Sequence, residues 1–145
     1  MNQRVILATL GGAVVCFLVG WGVYGMLLDS FYRGELSAWS SIMKTEEQMT
    51  AMDIVNMFIS NVGWALLLAL IFSKFAGIAN PKSGFIAGAW MSIIIACAID
   101  FQFMAMYMGF GFKLLAVDVV MAGFMGGVCG ATVGFILGMG KEKAA

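Results

Sequence analysis

Residues 5–28 contain no charged side chain, and three more apolar runs, each with only one or two charges, follow at about 53–73, 83–107 and 113–138. About 20 apolar residues suffice to cross the hydrocarbon core of a bilayer as a helix. Lipid offers no partner to backbone N–H and C=O groups, so each run must satisfy its own groups by coiling into a helix. Four such runs leave little else in a chain of 145 residues. The expected fold is therefore all-α: an integral membrane four-helix bundle, one domain over 1–145, with both termini on the same side. Composition points the same way. The chain is 62% hydrophobic and 11% charged, whereas a soluble domain carries about 25% charged residues. A soluble fold would have too little polar surface to meet water.

The punctuation between the runs is readable. Gly77 is placed to cap the end of the second helix, and Asn80-Pro81 reads as an N-cap followed by a proline at the first helical position. Gly109 and Gly111 break the third helix from the fourth. Thr45-Glu46-Glu47-Gln48 has the pattern of a capping box, which predicts that the second helix begins there and runs to about Lys74. Within the polar stretch 29–45, Tyr32, Leu36, Trp39 and Met43 fall at helical spacing. That spacing fits an extension of the first helix or a short helix at the membrane interface, with a partner-binding loop as the alternative.

Basic residues set orientation in the membrane. With four spans, Arg4, Lys74, Lys82, Lys141 and Lys143 share one side, and Arg33, Lys44 and Lys113 share the other. The first group predicts cytoplasmic termini in a bacterial inner membrane, with the first span retained rather than cleaved as a signal peptide.

Two carboxylates stand inside the apolar runs. Stepping back by four from Asp100 meets Ala96, Ser92, Gly88 and Gly84, and stepping on by four from Asp118 meets Ala122, Gly126, Gly130, Gly134 and Gly138. Residues four apart share a helix face, so two rows of slim residues each end in an acid, and the short turn brings those ends to similar depth. Gly84, Gly88, Gly126, Gly130, Gly134 and Gly138 are the candidate packing residues, since small side chains let membrane helices approach closely. They serve a neighbour within the chain or a second copy equally well, and self-association through these helices is expected. A four-residue step drifts around a helix, which predicts a crossing contact rather than a long seam.

Each acid lies about 10 Å inside its helix end. A charge at mid-membrane costs about 2.5–3.5 kcal/mol, less toward the interface, so both acids are expected to face the bundle interior. Asn56, Ser60, Asn61 and Tyr24 reach the same depth. Asp100, Asp118, Asn56, Asn61 and Tyr24 thus make up a candidate polar pocket for a ligand or ion, facing outward. Three roles fit it: a proton or cation carrier, a seat for a small polar molecule, or acids that only fix helix register or pair with Lys113 or Arg33.

Other chemistry is disfavoured. The chain has no histidine, on which most zinc and haem sites rely. No nucleophile elbow or phosphate-binding loop appears, and no basic run suited to nucleic acid. Cys16, Cys97 and Cys129 all fall inside spans and read as packing residues, and the 13 methionines are scattered filler. No catalytic residue, metal site or cofactor is expected.

Two stretches carry a resemblance. Residues 20–32 read Gly-Trp-Gly-Val-Tyr-Gly-Met-Leu-Leu-Asp-Ser-Phe-Tyr, and 112–118 read Phe-Lys-Leu-Leu-Ala-Val-Asp before the glycine-rich helix. They are similar to a family of small bacterial four-span membrane proteins classed as a domain of unknown function. That family has a glycine and a Trp-Tyr pair before an aromatic helix end, and an aspartate opening the last span. Here Val23 stands in place of the tryptophan, Asp118 matches the aspartate, and Asp100 has no counterpart. The resemblance implies the four-span layout and no activity. The functional expectation is transport or binding of a small molecule, cation or proton through the pocket. The alternative is a non-transporting accessory subunit of a larger membrane complex.

Overall fold

The computed structural model describes residues 2–36 and 44–139. The patterns at Trp39, Met43 and Lys141-Glu142-Lys143 lie outside them. Four long helices dominate. Helix α1 (Gln3–Gly20) continues through a π-helical segment, Trp21–Leu27, and the short α2 (Asp29–Glu35) follows. Helix α3 (Ala51–Ile71) also ends in a π-helical turn, Phe72–Ala76, and α4 (Pro81–Met106) and α5 (Phe112–Gly138) complete the bundle. Each of the four is long and apolar enough to cross a membrane.

Local chemistry explains the boundaries. The Asn80 side chain accepts from the Ser83 N–H at 2.8 Å, with Pro81 in the first turn. Gly77 takes the left-handed conformation, φ 62°, which lets the Ile78 N–H return to the Phe72 carbonyl at 3.0 Å. Gly109, φ 92°, turns the chain between α4 and α5. The start of α3 differs from the expectation. Gln48 does accept from the Thr45 N–H at 3.1 Å, but the two bracket only a single 3₁₀ turn, Glu46–Gln48. A second box takes over: the Asp53 carboxylate accepts from the Thr50 N–H at 2.8 Å and the Thr50 hydroxyl accepts from the Asp53 N–H at 3.4 Å. The helix therefore begins at Ala51.

Small residues are prominent inside the bundle, beside a few fully buried large ones, Phe72, Leu68 and Leu114. The covered side chains include Ala8, Ala13, Ala65, Ala69 and Cys129, while Ile86, Trp90, Ile94, Met57 and Phe135 are exposed to the surroundings. In lipid both surfaces are apolar, and dense contact goes to the residues that let backbones approach. Gly12 marks where α1, α3 and α5 meet: a Cβ there would lie 2.7 Å from Val133 and 3.2 Å from Ala65.

The α4–α5 hairpin is the tightest pair in the bundle. The buried residues of α4 are Gly84, Gly88, Ser92, Ala96 and Asp100, the row with a four-residue step. A Cβ on Gly84 would lie 2.2 Å from the Gly130 carbonyl oxygen, and one on Gly88 would lie 2.2 Å from that of Gly126. Gly134 meets Asn80 and Gly138 meets Ala79 in the same way. The contact is backbone against backbone from Ala79 to Gly88, and the buried row continues through the side chains of Ser92, Ala96 and Asp100. The expected drift does not shorten it. A repeat of four exceeds the 3.6 residues of a helical turn, so a pair that keeps such a row in contact must wrap in the right-handed sense. The glycine surfaces are thereby occupied within the chain and are not open to a second copy.

The other main pairs are α1 with α5 and α1 with α3, with a smaller contact between α3 and α5; α3 and α4 are not packed together to any comparable extent. The bundle is thus open on one side, between α3 and α4.

Candidate functional site

The antiparallel register of the glycine rows continues to the far end of the hairpin, where it sets Asp100 against Asp118. Asp100 is only 5% exposed, and its Oδ2 has no hydrogen-bond partner. Two turns earlier on the same face, Ser92 is 6% exposed and its Oγ is likewise unpartnered. Asp118 is half-buried and accepts a hydrogen bond of 2.7 Å from the Tyr32 hydroxyl. Tyr24 faces both acids from the π-helical end of α1, its ring 5.6 Å from that of Tyr32.

All of these groups except Tyr32 line one cavity of about 470 Å³. Tyr24, Asp100 and Asp118 form its polar end, with Asn61 and Ser60 on the α3 wall and Ser92, Met125 and Gly126 deeper in. Of the residues expected in the pocket, the structure brings together Asp100, Asp118, Asn61 and Tyr24. Asn61 is oriented by its own helix, its amide donating to the Met57 carbonyl at 2.8 Å. Asn56 does not line the cavity and is exposed. Because α3 and α4 stay apart, nothing draws that side chain toward the acids.

Tyr32 is the residue that sequence reasoning missed. Its spacing with Leu36 suggested an interfacial helix. A short helix is present there, α2, and it lies over the start of α5, where Tyr32 reaches Asp118, Glu35 pairs with Lys113, and the Lys113 ammonium sits 5.1 Å from the Phe31 ring centre. Arg33 pairs with Asp29 at 2.8 Å. The cation of Lys113 therefore goes to Glu35. No spacing rule points to Tyr32, because the π-helical segment and the bend at Leu28 separate it from Tyr24 and helical phase does not carry across them. Burial, and then the hydrogen bond to Asp118, hold the Tyr32 hydroxyl protonated well above the usual tyrosine range. It therefore stays a donor at neutral pH.

Removing that donor tests its role. Tyr32→Phe is expected to destabilise the fold by ~1–2 kcal/mol, the worth of a partly exposed hydrogen bond to a charged acceptor. Thermal unfolding in mild detergent reads the loss, and an unchanged midpoint would show that α2 contributes nothing to holding Asp118.

Cys16 and Cys129 meet in the core between α1 and α5, and the Cys129 thiol donates to the Gly12 carbonyl at 3.8 Å. Among the described residues no cluster of three or more potential metal ligands exists.

No known family model matches the chain, and neither a curated protein nor a solved structure does.

Proposed function

We propose that this is a small membrane protein of transport or ligand-binding type, which takes the cationic part of a ligand at Asp100 and Asp118. The observation that carries the reading is the unsatisfied Oδ2 of Asp100, buried beside a second carboxylate and lining a cavity. Two acids facing one another inside a membrane repel, and a cation between them removes that repulsion and gives the buried Oδ2 a countercharge. A bare proton would neutralise one acid without using the space. A cavity of about 470 Å³ suits an organic cation better.

The positive-inside rule places Arg4, Lys74 and Lys82 in the cytoplasm. The ends of α1, α3 and α5 that meet around Arg4, Phe72 and Leu137 would then face the cytoplasm of a bacterial cell. The acids would lie in the outer leaflet.

The test is titration of the purified protein in nanodiscs with tetramethylammonium, monitored by calorimetry. The native protein is expected to bind, and Asp118→Asn to bind at least tenfold more weakly while keeping its helix content. Absence of binding by the native protein, together with a stoichiometric partner retained in mild detergent, would favour an accessory subunit of a larger complex.

A further inference from the structure

The cavity is open along its side. Its rim is formed by Ser60 and Gly63 of α3 and by Ile95 and Ile99 of α4, all exposed. At 1.5 Å per residue, Ser60 and Gly63 lie about 14–18 Å from the start of α3, and Ile99 and Ile95 about 10–17 Å from the end of α4. That depth is within the hydrocarbon, so the mouth faces acyl chains rather than water.

Both unpartnered oxygens belong to this cavity, Asp100 Oδ2 and Ser92 Oγ. They lie on one face of α4, eight residues or about 12 Å apart. The acidic one is nearer the membrane surface. The neutral one is about 21 Å from the helix end, near the midplane. Between them the walls are apolar: Trp64, Ile95, Ala96, Ile99, Ala122 and Met125.

We infer that the ligand is an amphipathic organic cation that reaches the site sideways from the lipid, with its cationic end on Asp100 and Asp118 and its apolar body along α4 toward Ser92. This rests on the cation reading above and adds the ligand's class and route. Charge complementarity sets which end goes where. An amphiphile already in that leaflet holds its cation toward the surface and its tail toward the midplane. The cavity has the same polarity in the same direction, so the ligand need only move laterally. A water-soluble cation would gain nothing from the apolar half of the site.

The experiment compares octyltrimethylammonium with tetramethylammonium, which share a head group and differ only in the tail. Association rates are measured by stopped flow on the native protein and on Gly63→Phe in nanodiscs, with the amphiphile's concentration referred to its mole fraction in protein-free discs. Nothing lies within 4 Å of a Cβ added at Gly63, and unchanged circular dichroism checks that the larger side chain leaves the fold intact. Gly63→Phe is expected to slow association of octyltrimethylammonium at least tenfold, and to slow it more than it slows tetramethylammonium. If octyltrimethylammonium enters Gly63→Phe as fast as it enters the native protein, lateral access is overturned and the cation reading stands. If both probes are slowed equally in Gly63→Phe, the mouth is not specific to the tail, which also overturns the inference. If neither probe binds the native protein, the cation reading itself fails.

Discussion

Gly88→Ala is expected to lower the stability of the folded protein by about 3 kcal/mol, the upper end of what overpacking a closely packed site costs. The added methyl would lie 2.2 Å from the Gly126 carbonyl oxygen and 3.0 Å from the Gly130 Cα. Both are backbone atoms, so neither can swing aside as a side chain can, and the two helices must separate. Separation would also pull Ser92 away from Gly126, whose Cα carries no side chain to bridge the gap. The same replacement elsewhere has the opposite sign. Gly63→Ala meets nothing within 4 Å and should stabilise the chain by roughly 0.5–1 kcal/mol, the intrinsic gain of alanine over glycine inside a helix. Unfolding in detergent, followed by far-UV circular dichroism, distinguishes the two. If Gly88→Ala were as stable as the native protein, the backbone contact between α4 and α5 would not be what holds the hairpin.

Asp100→Asn is expected to raise stability while removing binding. Asparagine has nearly the same shape, so packing against α5 is kept. It loses the charge facing Asp118, and its amide can donate to that carboxylate. An unsatisfied buried polar atom costs about 1–3 kcal/mol, and relief of part of that cost should stabilise the fold by ~1–2 kcal/mol. Cation binding should fall at least tenfold, since one of two counter-charges is gone. Opposite signs on the two readouts are what a site carrying strain for function produces. An acid that serves only to fix helix register predicts the reverse, a loss of stability. A lower unfolding midpoint for Asp100→Asn would therefore overturn the functional reading of the pair.

What could be read from the chain alone divides along physical lines. The glycine rows were legible because membrane helices sort residues by size, and a four-residue step is visible in any listing of the letters. The meeting of Asp100 and Asp118 followed from that step and from the short turn at Gly109. The start of α3 was not legible, because Thr45-x-x-Gln48 and Thr50-x-x-Asp53 are both capping patterns, five residues apart, and local sequence does not rank them. Tyr32 was missed because it lies beyond the π-helical segment, where simple helical phase no longer says which way α2 will fold back. The opening between α3 and α4 was missed for a different reason. Ser60 reads as part of the polar end and Gly63 carries no signal of its own, and only the pairing of whole helices shows that no neighbour takes them up.

The seam between α4 and α5 also constrains motion. Side-chain interfaces have alternative rotamers through which helices can slide, but a contact made of main-chain atoms has none at hand. The hairpin therefore behaves as a stiff plank that carries both acids at a constant separation. Any widening or narrowing of the lateral mouth must come from displacement of α3, which leans on the plank chiefly through α1.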